Sequence, residues 1–96
     1  MTIRQLKEED REPVLRFLRK QSSLNLFMIG DIINFGFDRD FQQVWGDFSP
    51  EGELRAVLLR YFGNYIPYAE GEFDRDGLVR VILEQGNLET FLGVNG

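Results

Sequence analysis

The alternation of apolar and polar positions divides the chain into a short strand, two helices, a hairpin, a further strand, a third helix and a last strand. Ile3 and Leu6 anchor a strand over 2–6, and the polar run Lys7-Glu8-Glu9-Asp10 follows it. Asp10 suits a helix N-cap, and Pro13 then falls in the first turn, where a missing N–H costs little. Val14, Leu15, Phe17 and Leu18 recur at helical spacing, with Arg11, Arg16, Arg19 and Lys20 outside the stripe. This pattern predicts an amphipathic helix ending near Gln21. Ser22-Ser23 is placed to cap a second helix over 24–35, stopped by Gly36. That helix is apolar around most of its circumference, so it is expected to be buried on more than one side or to line an interface or pocket. Gly30 costs about 1 kcal/mol in its interior and is expected to admit another backbone.

The second half reads as strands. Residues 41–48 carry Val44 and Trp45, and Ser49-Pro50-Glu51-Gly52 is a turn in which Pro sets φ and Gly allows a positive one. Residues 54–62 form the returning strand of an antiparallel hairpin, and the run Ala56-Val57-Leu58-Leu59 predicts burial on both faces. Gly63-Asn64 marks a break. Residues 65–69 form another strand, in which Pro67 implies an edge, a bulge or a strand end. Asp74 caps a third helix running to about Gln85, with Leu78, Val79, Ile82 and Leu83 as its buried face and Gly86 as its stop. Residues 88–92 complete the set. The fold class predicted is α/β of the α+β kind: a mixed, largely antiparallel sheet with helices packed on it, in one domain over residues 1–96.

Charge and composition narrow the functional classes. The chain has 11 Lys and Arg against 16 Asp and Glu, a formal charge of -5. Phosphate backbones and anionic lipid surfaces demand clustered cations, so neither nucleic acid nor membrane is expected as a partner. Cysteine and histidine are both absent, which removes disulfides, thiolate and imidazole metal sites, and the usual general base. Met1-Thr2-Ile3-Arg4-Gln5 lacks the apolar segment of a signal peptide, and no apolar run nears the ~20 residues of a membrane span. A cytoplasmic protein is expected.

The candidate chemistry is sparse. Tyr61, Tyr65 and Tyr68 are the phenols available as a general acid, with packing at strand ends the competing role. Glu70 and Glu72 could pair as carboxylates or stand as solvated loop charges. Asp38 and Asp40 flank Arg39 but lack the remaining ligands of a calcium loop, and no metal site is expected.

The order of elements resembles the first two thirds of the GCN5-related N-acetyltransferase (GNAT) fold. The opening Ile3-Arg4-Gln5-Leu6-Lys7-Glu8-Glu9-Asp10 looks like the start of many such proteins. Asn25-Leu26-Phe27-Met28-Ile29-Gly30-Asp31-Ile32, Val44-Trp45-Gly46 and Gly52-Glu53-Leu54-Arg55-Ala56-Val57-Leu58-Leu59-Arg60 look like the N-terminal region of a subgroup of predicted acetyltransferases. In those longer chains a degenerate GNAT-like region precedes a complete catalytic domain. The resemblance implies an N-terminal domain of an N-acetyltransferase, transferring an acyl group from acetyl-CoA to an amine, with this chain inactive alone. A non-catalytic interaction or dimerisation module with a GNAT-like fold is the alternative. The partner implied is accordingly the rest of a longer acetyltransferase or a second copy.

The family's acetyl-CoA signature, (Gln/Arg)-x-x-Gly-x-(Gly/Ala), lies between the fourth strand and the third helix and holds the diphosphate on backbone N–H groups. Here that junction reads Ala69-Glu70-Gly71-Glu72-Phe73-Asp74-Arg75-Asp76-Gly77, with the glycine spacing wrong. At ~4 Å and an effective dielectric of ~20, each like-charge contact with a diphosphate costs up to ~4 kcal/mol. No cofactor is therefore expected on this chain, and acetyl-CoA is assigned to the parent enzyme. The resemblance also places the acceptor-substrate site beside the first two helices, which nominates Ser23, Asn25 and Asn34; helix capping competes for the serine. No catalytic residue can be nominated.

Overall fold

The computed structural model describes residues 2–85 and 90–91. Strand β1 (Thr2–Gln5) leads through a 3-10 turn (Glu8–Asp10) into helix α1 (Arg11–Arg19) and then helix α2 (Leu26–Phe35). Strands β2 (Asp38–Arg39), β3 (Gln42–Phe48), β4 (Leu54–Tyr61) and β5 (Asn64–Ala69) follow, then helix α3 (Arg75–Gln85) and strand β6 (Thr90–Phe91). The strands form one sheet in the order β1-β3-β4-β5-β6, with the short β2 paired to the start of β3. Every pairing is antiparallel except β5 with β6, which are parallel. The expected mixed, largely antiparallel α+β fold is what the chain adopts, with β2 as an unforeseen two-residue addition.

The apolar run in β4 explains the layering. Val57 and Leu59 face one side of the sheet, where they join Val14, Leu18, Met28 and Ile32 of α1 and α2 in the larger core. Ala56 and Leu58 face the other side, where they join Trp45, Tyr65, Leu78 and Ile82 in a second, smaller core under α3. A strand covered on both faces loses the alternation of a half-exposed one. The hairpin turn follows its residues closely. Ser49 Oγ accepts the N–H groups of Glu51 and Glu53, and Gly52 takes φ 88°.

Four local expectations are corrected. Asp10 does not cap α1; its carboxylate accepts the Lys7 N–H at 2.8 Å and pairs with Arg4 at 3.0 Å, closing the 3-10 turn before the helix. That pairing with Arg4 holds its carboxyl below the ordinary 3.8. Ser22 and Ser23 do not cap α2; they stand exposed in a turn two residues too early, and Asn25 takes the cap position without a capping side-chain bond. On α3, Val79 and Leu83 are exposed, while Val81 packs with Leu78 and Ile82. The cause is Gly77: a Cβ there would collide with the Asp74 carboxylate and with Ile3 Cδ1, so the glycine sets α3 close over β1 and turns the 74–77–78–81 side inward. At Gly30, finally, no backbone of the same chain approaches, since nothing lies within 4 Å of the position its Cβ would take.

The tight turn from β4 to β5 places the left-handed conformation on Phe62, φ 56°, and not on Gly63. The buried Arg60 holds it there, donating to the carbonyls of Phe62 (2.7 Å) and Asp40 (2.9 Å) and to the Gln43 side chain. Pro67 sits opposite Leu58, in the part of β5 that pairs only with β4 among the described residues. The proposed stop at Gly86 and strand residues 88, 89 and 92 lie outside the described residues.

Candidate functional site

Two features stand out: the turn ahead of α3, and the outer face of α2. The turn is where the resemblance places a diphosphate. An open cleft of about 500 Å³ lies there, lined by Arg55, Gly71, Glu72, Phe73 and Arg75. Of the turn's four carboxylates, Glu70, Glu72, Asp74 and Asp76, Glu72 alone lines the cleft. Glu70 turns away, accepting the Tyr68 hydroxyl at 2.7 Å and pairing with Lys20 at 3.3 Å. Asp74 folds into its own helix, where Oδ1 accepts the Gly77 N–H at 3.0 Å as the N-cap read from the sequence requires.

Several backbone amides at this turn are engaged within the chain. Asp74 N–H donates to Asp47 Oδ2 at 2.7 Å, Arg75 N–H to the Phe73 carbonyl and Leu78 N–H to the Asp74 carbonyl. Asp47 comes from β3 and is fully buried; Arg55 of β4 approaches both its oxygens at 3.0 and 3.2 Å. A carboxylate of the chain thus sits ahead of α3, accepting the Asp74 N–H and pairing with the half-buried Arg55. Sequence reasoning passed over Asp47. The available signal was a charged residue interrupting the apolar run Val44-Trp45-Gly46-x-Phe48.

The phenols serve packing. Tyr65 is fully buried in the core under α3, and Tyr61 joins Phe35, Phe41 and Phe62 in an aromatic cluster with ring centroids 4.8–6.2 Å apart. Tyr68 packs edge-on against Phe17, and burial, helped by Glu70, pushes its hydroxyl up to about 12. Because the folded state holds this proton more tightly than the unfolded, the associated stability is present below the ordinary 10.0 and lost as pH rises through about 12. An absorbance titration of phenolate should show one class ionising near pH 12, and Tyr68→Phe should remove it.

The nominated substrate residues do not converge. Ser23 and Asn34 are exposed, whereas Asn25 is buried with Nδ2 donating to the Leu18 carbonyl at 2.9 Å. Nine residues of helix separate Asn25 from Asn34, which is about 13 Å along the axis and roughly half a revolution around it. Among the described residues no group of three or more carboxylates is arranged to hold a metal ion.

The face of α2 pointing away from the sheet is the other feature. Leu24, Leu26, Phe27 and Ile33 are 63%, 64%, 78% and 51% exposed. Leu26, Gly30 and Ile33 lie in one row at helical spacing, with Phe27 and Asn34 beside it. Of the two alternatives read from the sequence, burial on more than one side or an interface or pocket, the first is not met, since α2 is buried on its Met28, Ile29 and Ile32 side alone. A soluble domain rarely leaves such an apolar stripe uncovered without use for it.

No helix among the described residues is long and apolar enough to cross a membrane. No protein-family model matches the chain, and no curated protein does. Among solved structures, the chain is similar in fold to the BH1408 protein of Bacillus halodurans, determined by X-ray crystallography as a tetramutant, with a TM-score of 0.59 at 12% identity. The likeness spans 100% of this chain and 83% of that one, and it is a likeness of fold.

Proposed function

We propose that the chain is a protein-interaction domain on a GNAT-like scaffold, with no acyl transfer of its own. The uncharged, exposed α2 stripe carries this reading, since burying Leu24, Leu26, Phe27 and Ile33 against a partner removes a large apolar area from water. Its non-catalytic half is supported at α3, where Asp47 and Asp74 bring carboxylates onto the Asp74 and Gly77 amides and so work against an incoming anion. A single observation favours the second reading, an N-acetyltransferase acting on an amine with catalysis elsewhere in a longer chain. The cleft with Arg55 and Arg75, at the turn where the resemblance expects a diphosphate, supports that reading.

Calorimetric titration with acetyl-CoA tests whether this chain itself holds the cofactor. The expected result is no heat beyond dilution, and micromolar binding would overturn the non-catalytic reading. The docking half has its own readout: the native protein at low concentration should bind the neutral dye Nile red, and Phe27→Glu should abolish that binding.

A further inference from the structure

The α2 stripe has three properties beyond its exposure. Its neighbourhood is nearly free of charge: in a chain with 11 Lys and Arg and 16 Asp and Glu, Asp31 is the one charged residue from 21 to 37. Asp31 itself is half-buried at the margin of the stripe, and burial pushes its carboxyl upward. The stripe has a gap at its centre, because Gly30 presents open space where other residues present a side chain. The gap is flanked symmetrically by apolar groups, Phe27 three residues before it and Ile33 three residues after.

We infer that this face is the contact between two copies of the chain, with the two α2 helices crossing antiparallel at Gly30. The inference rests on the interaction-domain reading and names its partner. A two-fold axis through Gly30 sets Phe27 of one copy against Ile33 of the other, so the surface is complementary to itself, as an isologous contact demands. Gly30 lets the backbones approach at the crossing. Two molecules of charge -5 repel over most of their surfaces, and the stripe is where they meet without opposing charges. Depletion of charge is also the compositional mark of an interface centre. Leu24, Leu26, Phe27 and Ile33 offer on the order of 500 Å² per copy, and a symmetric pair would bury about 1,000 Å², the lower bound of specific interfaces. A reversible dimer in the micromolar range is the matching affinity.

Sedimentation velocity on the intact chain, from about 1 to about 500 µM, tests this. The wild type should pass from monomer to dimer over that range. Phe27→Glu should weaken the dimer by about a hundredfold or more, since it places charge at the centre of an apolar contact. Gly30→Leu should weaken it by about tenfold or more while raising the melting temperature of the monomer, because the side chain has room in one copy and none at the crossing. Circular dichroism melts confirm that each variant folds, and Leu24→Glu replaces Phe27→Glu should that variant misfold. A dimer that survives both changes would overturn the inference. So would a wild type monomeric throughout the range: with Nile red still bound at α2 it leaves the interaction-domain reading standing, and without dye binding it removes both. Partition of a monomeric wild type onto phosphatidylcholine vesicles would overturn it in favour of a lipid surface.

Discussion

Replacing Asp47 with alanine should destabilise the domain by about 3 kcal/mol, a drop in Tm on the order of 15 °C for a chain of this size. Asp47 is fully buried, and its two oxygens serve Arg55 and the Asp74 N–H together. Removing it leaves Arg55, whose side chain is only 19% exposed, without a counter-ion and the Asp74 N–H ahead of α3 without an acceptor. Deleting one member of a buried pair costs more than the pair contributes, because the survivor keeps its desolvation penalty. Asp47→Asn keeps an acceptor for the amide but loses the charge, and its loss should be intermediate. Thermal melts of the three proteins check the order. Equal stability of all three would show that the carboxylate does not hold the head of α3.

Gln42→Ala should cost a similar amount, about 3 kcal/mol, through a different mechanism. Gln42 is fully buried at the start of β3, and its Nε2 donates to the carbonyls of Asp31 (3.0 Å) and Gly36 (2.7 Å). It therefore ties the last turn of α2 and its terminating glycine to the sheet. Alanine would leave a cavity and withdraw a donor from two carbonyls at once. Gln42→Leu refills the volume without restoring the donor, so comparing the two variants in urea unfolding separates packing from hydrogen bonding. If leucine restores full stability, the stitch contributes nothing.

Both residues show what the sequence conceals. The hairpin was legible because its turn chemistry is local: Ser49, Pro50 and Gly52 specify the reversal within four residues. The double-sided burial of 56–59 was legible because a continuous apolar run has few other uses in a strand. The inward face of α3 was misread by about a quarter turn because it depends on Gly77 meeting Ile3, a contact between distant parts of the chain. Ser22, Ser23 and Asp10 are capping residues by type, yet cap geometry depends on where the first helical hydrogen bond falls. The candidate site was less legible still. The carboxylates of the turn before α3 are legible in the sequence, whereas the contact of Asp47, from β3, with the Asp74 N–H is not. The α2 stripe was visible as an apolar helix, whereas its exposed side was not, since periodicity cannot tell which neighbours a helix will have.

The order of strands also bears on how the chain reaches this state. β3, β4 and β5 follow one another in sequence, and their closest partners, Phe48 with Leu54 and Tyr61 with Asn64, are six and three residues apart. β1 is different: Gln5 meets Trp45 across forty residues of chain. Closing that long loop carries the larger entropic cost, so the meander has the shorter route to form and the N-terminal strand joins an assembled edge. Substitutions confined to β1 would then register in the rate of unfolding and leave the rate of folding nearly untouched.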